Sequence, residues 1–372
     1  MAGFDFRRTA MEAESPEEVG YGTIRANLGE SSMSDRRFAD LGIDLGDVVL
    51  FYGDHRGDPR LRALVATQSG LAEHQVLATA GGALALFLVA TALGGPGTRT
   101  LVTAPNYVSN IETPAALGGA VDVVDLNYPD GWAVDPERIR RALTPDTRLV
   151  SITTPHNPTG TEIPRGLLDE LIAVVEAKPS TFLLVDQTYA ELSGPESLPD
   201  VASLSPRAIS VSGVSKTYGI PGVRQGWLTC TDSDLMTDLL AVKEQVVLTG
   251  SVLDEAIAAE VLSRREQLLP DIRQAVARRG AIVREWMVDH PALEWVQPTG
   301  GVTGFPRIRA EVGADSDWHR SLLAGHGVFV GPGHWFGQPW RHFRLGWGWP
   351  SDDELRAGLA GIDAVLSPIA GE

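Results

Sequence analysis

Seven short apolar segments constrain the fold of this chain more than any other feature of its sequence. Longer stretches separate them, such as residues 166–178, whose apolar positions recur at the spacing of an amphipathic helix. Strands that are apolar throughout and alternate with helices are typical of a mostly parallel sheet covered on both faces. The sequence therefore predicts an α/β fold with a seven-stranded, mostly parallel sheet. Its strands are expected at 76–80, 100–104, 121–126, 148–154, 181–186, 208–213 and 226–230.

After residue 250 this alternation ends, and the pattern favours a smaller α+β domain. A helical stretch runs from Ser251 to about His290, with an interruption expected at Pro270. A length of 372 residues also suits about two domains. We expect a large domain at 46–255, a small C-terminal domain at 256–372, and a segment at 1–45 that packs on the small domain.

Charge and cysteine content exclude several classes of partner and site. The net charge of −17 argues against binding to nucleic acid or to an anionic membrane, both of which need clustered Lys and Arg. Cys230 is the only cysteine, so neither an internal disulfide nor a cysteine-built metal site is expected. No apolar run reaches the roughly 20 residues of a membrane span, and the N-terminus has no apolar signal core. These features predict a cytoplasmic protein without a metal site.

Residues with chemical potential follow the predicted strands, where ligands collect in an open parallel sheet. Each of them alone is more typical of a turn, a cap or the surface, but six such positions in chain order favour a shared site. Glycines that open a helix leave backbone N–H groups available to a phosphate. The residues are Gly81-Gly82-Ala83, Asn106-Tyr107, Asn157, Asp186 with Tyr189, Ser215-Lys216, and Arg224.

The segments that contain these residues resemble the class I/II aminotransferases, which are pyridoxal 5′-phosphate (PLP) enzymes of fold type I. The resemblance covers nearly the whole chain, and the ordered set Asn, Asp-x-x-Tyr, Lys, Arg is its most specific part. The segments are YGDHRGDPRLRALV, TTPHNPTG, VDQTY, SVSGVSKTYGIPGVRQGW, TGGVTGFPR, GVFVGPGHWFG and FRLGW.

The resemblance implies a role for each matching residue. Lys216 would form a Schiff base with PLP and then shuttle a proton, and Asp186 would pair with the pyridinium nitrogen. Tyr189 and Asn157 would hydrogen-bond the phenolic oxygen of the ring, and Tyr107 would stack on its face. The phosphate would meet Arg224, Ser215 and the amides of Gly82 and Ala83.

Further implications concern the partner subunit and the substrate. The position of Tyr52 matches a tyrosine that reaches the phosphate of the neighbouring subunit, so a homodimer with shared active sites is implied. Arg344 would bind the α-carboxylate of an amino-acid substrate, and Gly29 and His334 would contribute further substrate contacts. His334 could equally be an acid/base group or a packing residue.

Two positions depart from the family pattern around the phosphate. Gly213 stands where a Ser or Thr is usual, and Ala83-Leu84-Ala85 replaces the usual Thr/Ser-Glu-Ala. Both changes remove a hydroxyl donor, so we expect Arg224 and the backbone to hold more of the phosphate than is typical.

The reaction is less constrained than the cofactor, because the same residues serve several PLP reactions. The first interpretation is a transaminase in specialised metabolism. It would act on an α-amino acid through a Lys216 Schiff base and a quinonoid intermediate. The C-terminal half resembles capreomycidine synthases, so the alternative is a lyase or cyclase acting on an arginine-derived amino acid. An acidic pocket would suit a cationic side chain, although acidic residues near the N-terminus are also typical of solvated surface. The candidates are Glu12, Glu14, Glu30 and Asp54, with His55 beside them.

Two other classes of protein are disfavoured. A Rossmann oxidoreductase would need Gly-x-Gly-x-x-Gly after a strand, and no such motif is present. A non-catalytic regulator on this fold would need a basic DNA-binding appendage, which neither terminus resembles.

Overall fold

The computed structural model of the chain describes residues 4–194, 198–309 and 318–370. The first residues of the predicted N-terminal segment at 1–45 and the last residues of the predicted C-terminal domain at 256–372 therefore lie outside the described residues. Fourteen strands occur in this part of the chain. They are β1 Ala26–Asn27, β2 Val76–Thr79, β3 Arg99–Ala104, β4 Ala120–Asp125, β5 Thr147–Thr153, β6 Phe182–Asp186, β7 Ala208–Gly213, β8 Gly226–Cys230, β9 Leu293–Glu294, β10 Thr303–Gly304, β11 Arg307–Ile308, β12 Val328–Phe329, β13 Gly331–Pro332 and β14 Phe343–Gly346.

Thirteen α-helices accompany these strands in the described ranges. They are α1 Ala10–Ala13, α2 Pro16–Val19, α3 Phe38–Leu41, α4 Pro59–Ser69, α5 Gly81–Leu93, α6 Ser109–Ala116, α7 Pro136–Ala142, α8 Arg165–Glu176, α9 Ser233–Val246, α10 Val252–Ser263, α11 Arg265–Met287, α12 Trp318–His326 and α13 Asp352–Ala370. None of the described helices is long and apolar enough to cross a membrane.

The large sheet has seven strands in the order β2-β8-β7-β6-β5-β3-β4. The pairs β3–β4, β3–β5, β5–β6 and β6–β7 are parallel, and β8 runs antiparallel to both of its neighbours. The predicted sheet is therefore confirmed, and each predicted strand agrees with the observed one to within a residue at either end. Strands β7 and β8 have the predicted bounds.

Helices cover both faces of this sheet, which explains the continuous apolar runs in its inner strands. In β6, Leu183 and Val185 pack into the core shared with α7 and α8. Phe182 and Leu184 point to the opposite face and pack into the core shared with α5 and α9. Because alternate residues of a strand face opposite sides, burial on both sides requires an unbroken apolar run.

Smaller sheets occupy the remaining part of the fold and connect the N-terminal segment to the C-terminal region. Strand β1 pairs in parallel with β12, β14 lies between β10 and β13, and β9 pairs with β11. The core here unites residues of β1, α11, α12, β14 and α13.

The predicted interruption at Pro270 is wrong. The helical stretch breaks instead at Arg264, whose backbone angles of φ −102° and ψ 13° separate α10 from α11. Pro270 lies in the second turn of α11, where a proline costs one backbone hydrogen bond. The buried residues Leu269 and Ile272 on either side keep this turn packed against the core, so the helix continues through the proline.

Candidate active site

The candidate site is a cavity at the edge of the sheet where the parallel strands end. Strand β8 runs in the opposite direction, so Arg224, just before its first residue, lies at this same edge. The cavity also receives residues from the N-terminal segment and from β14. Its lining residues are Met11, Ser15, Pro16, Glu17, Gly29, Glu30, Ser31, Gly82, Ala83, Leu86, Tyr107, Thr153, Asn157, Asp186, Thr188, Tyr189, Gly213, Ser215, Lys216, Pro221, Arg224, Trp335 and Arg344.

A close approach of three backbone segments builds one end of the cavity. Gly81 begins α5 with φ +75°, and a Cβ atom there would lie 2.7 Å from Nη2 of Arg224. A Cβ on Gly226 would lie 2.6 Å from the backbone of Gly81, and one on Gly213 would lie 3.0 Å from the carbonyl oxygen of Gln225. The departure from the family pattern at Gly213 therefore has a structural explanation, because a side chain there would clash with the backbone at the start of β8.

Asp186, at the end of β6, is held by its neighbour Thr188. The backbone N–H of Thr188 donates to Oδ1 of Asp186 over 3.0 Å, and its hydroxyl donates to the same oxygen over 2.5 Å. Burial raises the pKa of Asp186, while these two hydrogen bonds act in the opposite direction. Both bonds end on Oδ1, so Oδ2 is the oxygen that remains for a ligand.

Lys216 follows β7 and projects into the same cavity. Burial lowers the pKa of its ammonium group, the nearby carboxylate of Glu30 opposes this shift, and Arg344 adds to it. The backbone carbonyl of Lys216 accepts a hydrogen bond from the N–H of Met33 over 2.9 Å. The lysine loop is therefore attached directly to the N-terminal segment.

Arg344, on β14, is buried and joins the N-terminal segment to the end of β5. Its Nε and Nη2 atoms donate to the carbonyl oxygen of Gly29 over 3.1 Å and 2.6 Å, and Nη1 donates to Oδ1 of Asn157 over 3.1 Å. The phenol of Tyr189 donates to the hydroxyl of Ser31 over 2.9 Å, and burial raises the pKa of this phenol to about 12. Tyr189 therefore stays protonated as a hydrogen-bond donor.

Two residues predicted for the site lie elsewhere in the single chain. Nε2 of His334 bonds to Glu14 over 2.7 Å, and the His334 ring lies against Trp340 rather than among the residues that line the cavity. Trp335 lines the cavity instead, and its indole N–H donates to Glu14 over 2.9 Å. Tyr52 is 81% exposed. Of the residues proposed for an acidic pocket, Glu30 lines the cavity, and Glu12, Glu14, Asp54 and His55 do not. The remaining residues to which the resemblance gave a cofactor or substrate role all line it.

Sequence reasoning missed several lining residues, among them Met11, Glu17, Ser31 and Thr188. Thr188 could have been found, because a hydroxyl two residues after a strand-end carboxylate is placed to bond it. Ser31 and Glu17 gave no such signal, since they come close to β6 and β7 only in the folded chain.

The donor set in the cavity fits PLP, group by group. The first turn of α5, with Arg224 against it, offers N–H groups and a cation to a phosphate. A carboxylate with one free oxygen suits a pyridinium nitrogen, and a lysine with a lowered pKa suits an aldehyde carbon. Together with the seven-stranded sheet, these groups define a PLP-dependent enzyme of fold type I.

Comparison with known proteins identifies the family. Residues 33–362 match the family model described as aminotransferase class I and II. The chain therefore belongs to the class I and II aminotransferase family, and PLP is its cofactor.

Three relatives show how closely the chain resembles individual members. It is 35% identical to the capreomycidine synthase of Streptomyces vinaceus over 87% of this chain and 82% of that protein. It is 31% identical to the arginine–pyruvate transaminase AruH of Pseudomonas aeruginosa over 79% and 77% of the two chains. The structure of the PLP-dependent cyclase OrfR matches with a TM-score of 0.87 and 27% identity, over 99% of this chain and 100% of that one.

Proposed function

We propose that the enzyme is a transaminase that acts on an α-amino acid, with Lys216 as its catalytic lysine. The observation that carries this proposal is one cavity lined by a lysine with a lowered pKa, a strand-end aspartate and a buried arginine. A lowered pKa increases the fraction of Lys216 present as neutral amine, which is the form that attacks a carbonyl carbon and accepts a proton. When bound, PLP supplies the electron sink for the substrate Cα–H bond.

The other polar residues would orient the cofactor and keep its ring in one protonation state. The anionic Asp186 would hold a proton on the pyridine nitrogen, and Thr188 fixes the carboxylate for this purpose. Asn157 would donate a hydrogen bond to the phenolic oxygen, Tyr189 would do so by turning its hydroxyl proton away from Ser31, and Tyr107 would stack on the ring. Arg224, Ser215 and the amides of Gly82 and Ala83 would bind the phosphate.

Arg344 would bind the substrate α-carboxylate, since its guanidinium fork matches a carboxylate and it is buried in the cavity. Gly29 lies beside it and already accepts two of its hydrogen bonds. His334 would act indirectly by fixing Glu14, which also receives the indole N–H of the cavity residue Trp335.

We further propose a homodimer in which Tyr52 reaches the phosphate bound by the partner subunit. The adjacent side chains of Val49, Leu50 and Phe51 are also exposed, and a run of exposed apolar residues is typical of a subunit interface. The division into 1–45, 46–255 and 256–372, and a cytoplasmic location, are parts of the same proposal.

A second candidate function is elimination and ring closure on an arginine-derived amino acid. The similarity to a capreomycidine synthase and to the PLP-dependent cyclase OrfR favours it. The cofactor-binding residues proposed above would serve either reaction, so they do not decide between the two.

A half-reaction with single amino acids tests the proposal. The PLP-loaded enzyme is mixed with each amino acid, and cofactor and products are analysed by absorbance and mass spectrometry. Conversion of the cofactor to pyridoxamine phosphate, with release of a keto acid, is expected for a transaminase. Loss of ammonia or water without pyridoxamine phosphate would instead support the lyase or cyclase. The Lys216→Ala variant should retain no PLP after borohydride reduction, and PLP trapped on it would refute the assignment of Lys216.

A further inference from the structure

Six charged side chains line the cavity, and the proposed function uses four of them. Lys216, Arg224, Arg344 and Asp186 have roles toward the cofactor or the α-carboxylate. Two carboxylates, those of Glu17 and Glu30, line the same cavity without such a role. Glu30 is half-buried, whereas Glu17 is exposed at the cavity. A carboxylate that is partly withdrawn from water, as that of Glu30 is, is stabilised by a cation nearby, so the partners of the two residues are informative.

Glu30 lies next to the groups that would bind the amino-acid part of the substrate. It follows Gly29, whose carbonyl oxygen accepts the hydrogen bonds of Arg344. Its carboxylate is half-buried and is close enough to Lys216 to shift the pKa of that lysine. Among the described residues, however, the Glu30 side chain forms no hydrogen bond and no ion pair within 4.0 Å. Glu30 therefore has no contact partner among the described side chains, although the charges of Lys216 and Arg344 lie within its field.

Glu17 reaches the cavity from another element, the short helix α2. In the described part of the chain its carboxylate also has no ion pair, whereas the next residue, Glu18, is paired with Arg8 on the surface over 2.8 Å. The pKa of the Tyr21 phenol is raised first by burial and then by the charges of Glu17, Glu30 and Asp35, and hydrogen bonding to Glu17 raises it further. Glu17 and Glu30 thus act on the same region of space.

We propose that Glu17 and Glu30 bind a positive charge at the end of the substrate side chain, so that the substrate is an amino acid with a guanidinium or ammonium group. The inference rests on the proposed function, because it places the amino and carboxylate groups of this substrate at Lys216 and Arg344. A guanidinium offers donors in a planar fork and can bind two carboxylates from separate elements. No cationic side chain of the described chain is paired with either carboxylate, so this role is left to the ligand.

The test compares ligands that differ only in the charge of the side chain. Arginine and citrulline have nearly the same shape, and only arginine is cationic. 5-Guanidinopentanoate is arginine without its α-amino group, so it binds without reacting, and 5-ureidopentanoate is its neutral counterpart. Binding of the two acids to the PLP-loaded enzyme is measured by calorimetry, and the half-reaction is measured with the two amino acids.

We expect the guanidino acid to bind at least about 10-fold more tightly than the ureido acid, and arginine to react in preference to citrulline by a similar factor. Glu17→Gln and Glu30→Gln should each reduce this preference by about 10-fold while leaving the ureido acid unchanged. Glu18→Gln is the matched control, because it removes a neighbouring carboxylate outside the cavity, and it should leave both ligands unchanged.

The possible outcomes distinguish a wrong assignment of Glu17 and Glu30 from a wrong proposal of transamination. Equal binding of the guanidino and ureido acids, or variants that keep the full preference, would overturn the assignment of Glu17 and Glu30. If neutral and cationic amino acids are transaminated equally well, the proposed function stands and this inference falls. If the guanidino acid binds selectively but no amino acid forms pyridoxamine phosphate, the inference stands and transamination falls.

Discussion

Thr188 offers the sharpest test of how this cavity holds its cofactor. Its hydroxyl donates to Oδ1 of the buried Asp186 over 2.5 Å, and a hydrogen bond to a charged group contributes about 1.5–3 kcal/mol. Thr188→Val removes this donor at almost constant volume and leaves the backbone N–H bond to the same oxygen in place. The variant therefore isolates one interaction of the carboxylate that would pair with the pyridinium nitrogen.

The expected effect follows from the charge that the hydroxyl stabilises. Losing the bond destabilises the anionic form of Asp186, because a hydrogen bond to the charged form favours that form, and so raises the pKa of Asp186 further. A protonated Asp186 cannot hold a protonated ring nitrogen. We expect the dissociation constant of PLP to rise about 10-fold near neutral pH, and the loss of affinity on acidification to begin at a higher pH than in the wild type.

The measurement is a titration of apoenzyme with PLP, followed by absorbance and repeated between about pH 6 and pH 8. Thr188→Ser is the matched control, because it keeps the hydroxyl and loses only a methyl group, and it should bind PLP like the wild type. If Thr188→Val binds PLP with the affinity and pH dependence of the wild type, the hydroxyl does not control the charge of Asp186 and this reasoning fails.

Three further predictions concern stability, substrate and subunit contact. His156 is buried, and its pKa is lowered to about 4, so below the usual 6.5 only the unfolded chain takes up a proton and stability is lost until about pH 4. In urea unfolding, the free energy of unfolding of His156→Gln should therefore fall by about 2 kcal/mol less than that of the wild type between pH 7 and pH 5. Equal losses in the two proteins would contradict this. Arg344→Lys should raise the KM for the amino acid about 10- to 100-fold, because it removes a bidentate fork, with PLP affinity unchanged; an unaltered KM would remove Arg344 from the carboxylate site. Tyr52→Phe should weaken PLP binding about 10-fold without changing the oligomeric state seen by light scattering, and full PLP affinity would exclude the phosphate contact.

The strands of the large sheet were predictable because burial on both faces leaves a signal at every residue. In β6 all five side chains are buried, and the four before Asp186 are apolar. The break between α10 and α11 was not predictable in this way. A proline is a strong local signal, but Pro270 is tolerated in the second turn of a helix that the core holds on both sides.

The cofactor end of the site was predictable for a related reason, namely that strand ends of a parallel sheet converge on one edge. Asp186, Lys216 and Arg224 could be placed together from their positions along the chain alone. Contacts between segments distant in sequence could not, such as the bond between Tyr189 and Ser31 or the pairing of His334 with Glu14. The close approach that explains Gly213 also exists only in the folded chain.

The elements that would hold the cofactor differ from those that would select the substrate, and this difference bears on how one fold supports several reactions. The groups assigned to PLP stand on the sheet edge, whose geometry is fixed by the buried strands. The groups assigned to the substrate stand on β14, after β1 and on α2. Because Arg344 on β14 donates to the carbonyl oxygen of Gly29, the residue before Glu30, these two substrate groups are directly connected. We therefore expect substitutions in the N-terminal segment to change the substrate, while Asp186, at the end of the buried strand β6, stays in place. We expect exchanges within residues 11–31 between a transaminase and a cyclase of this fold to alter the reaction.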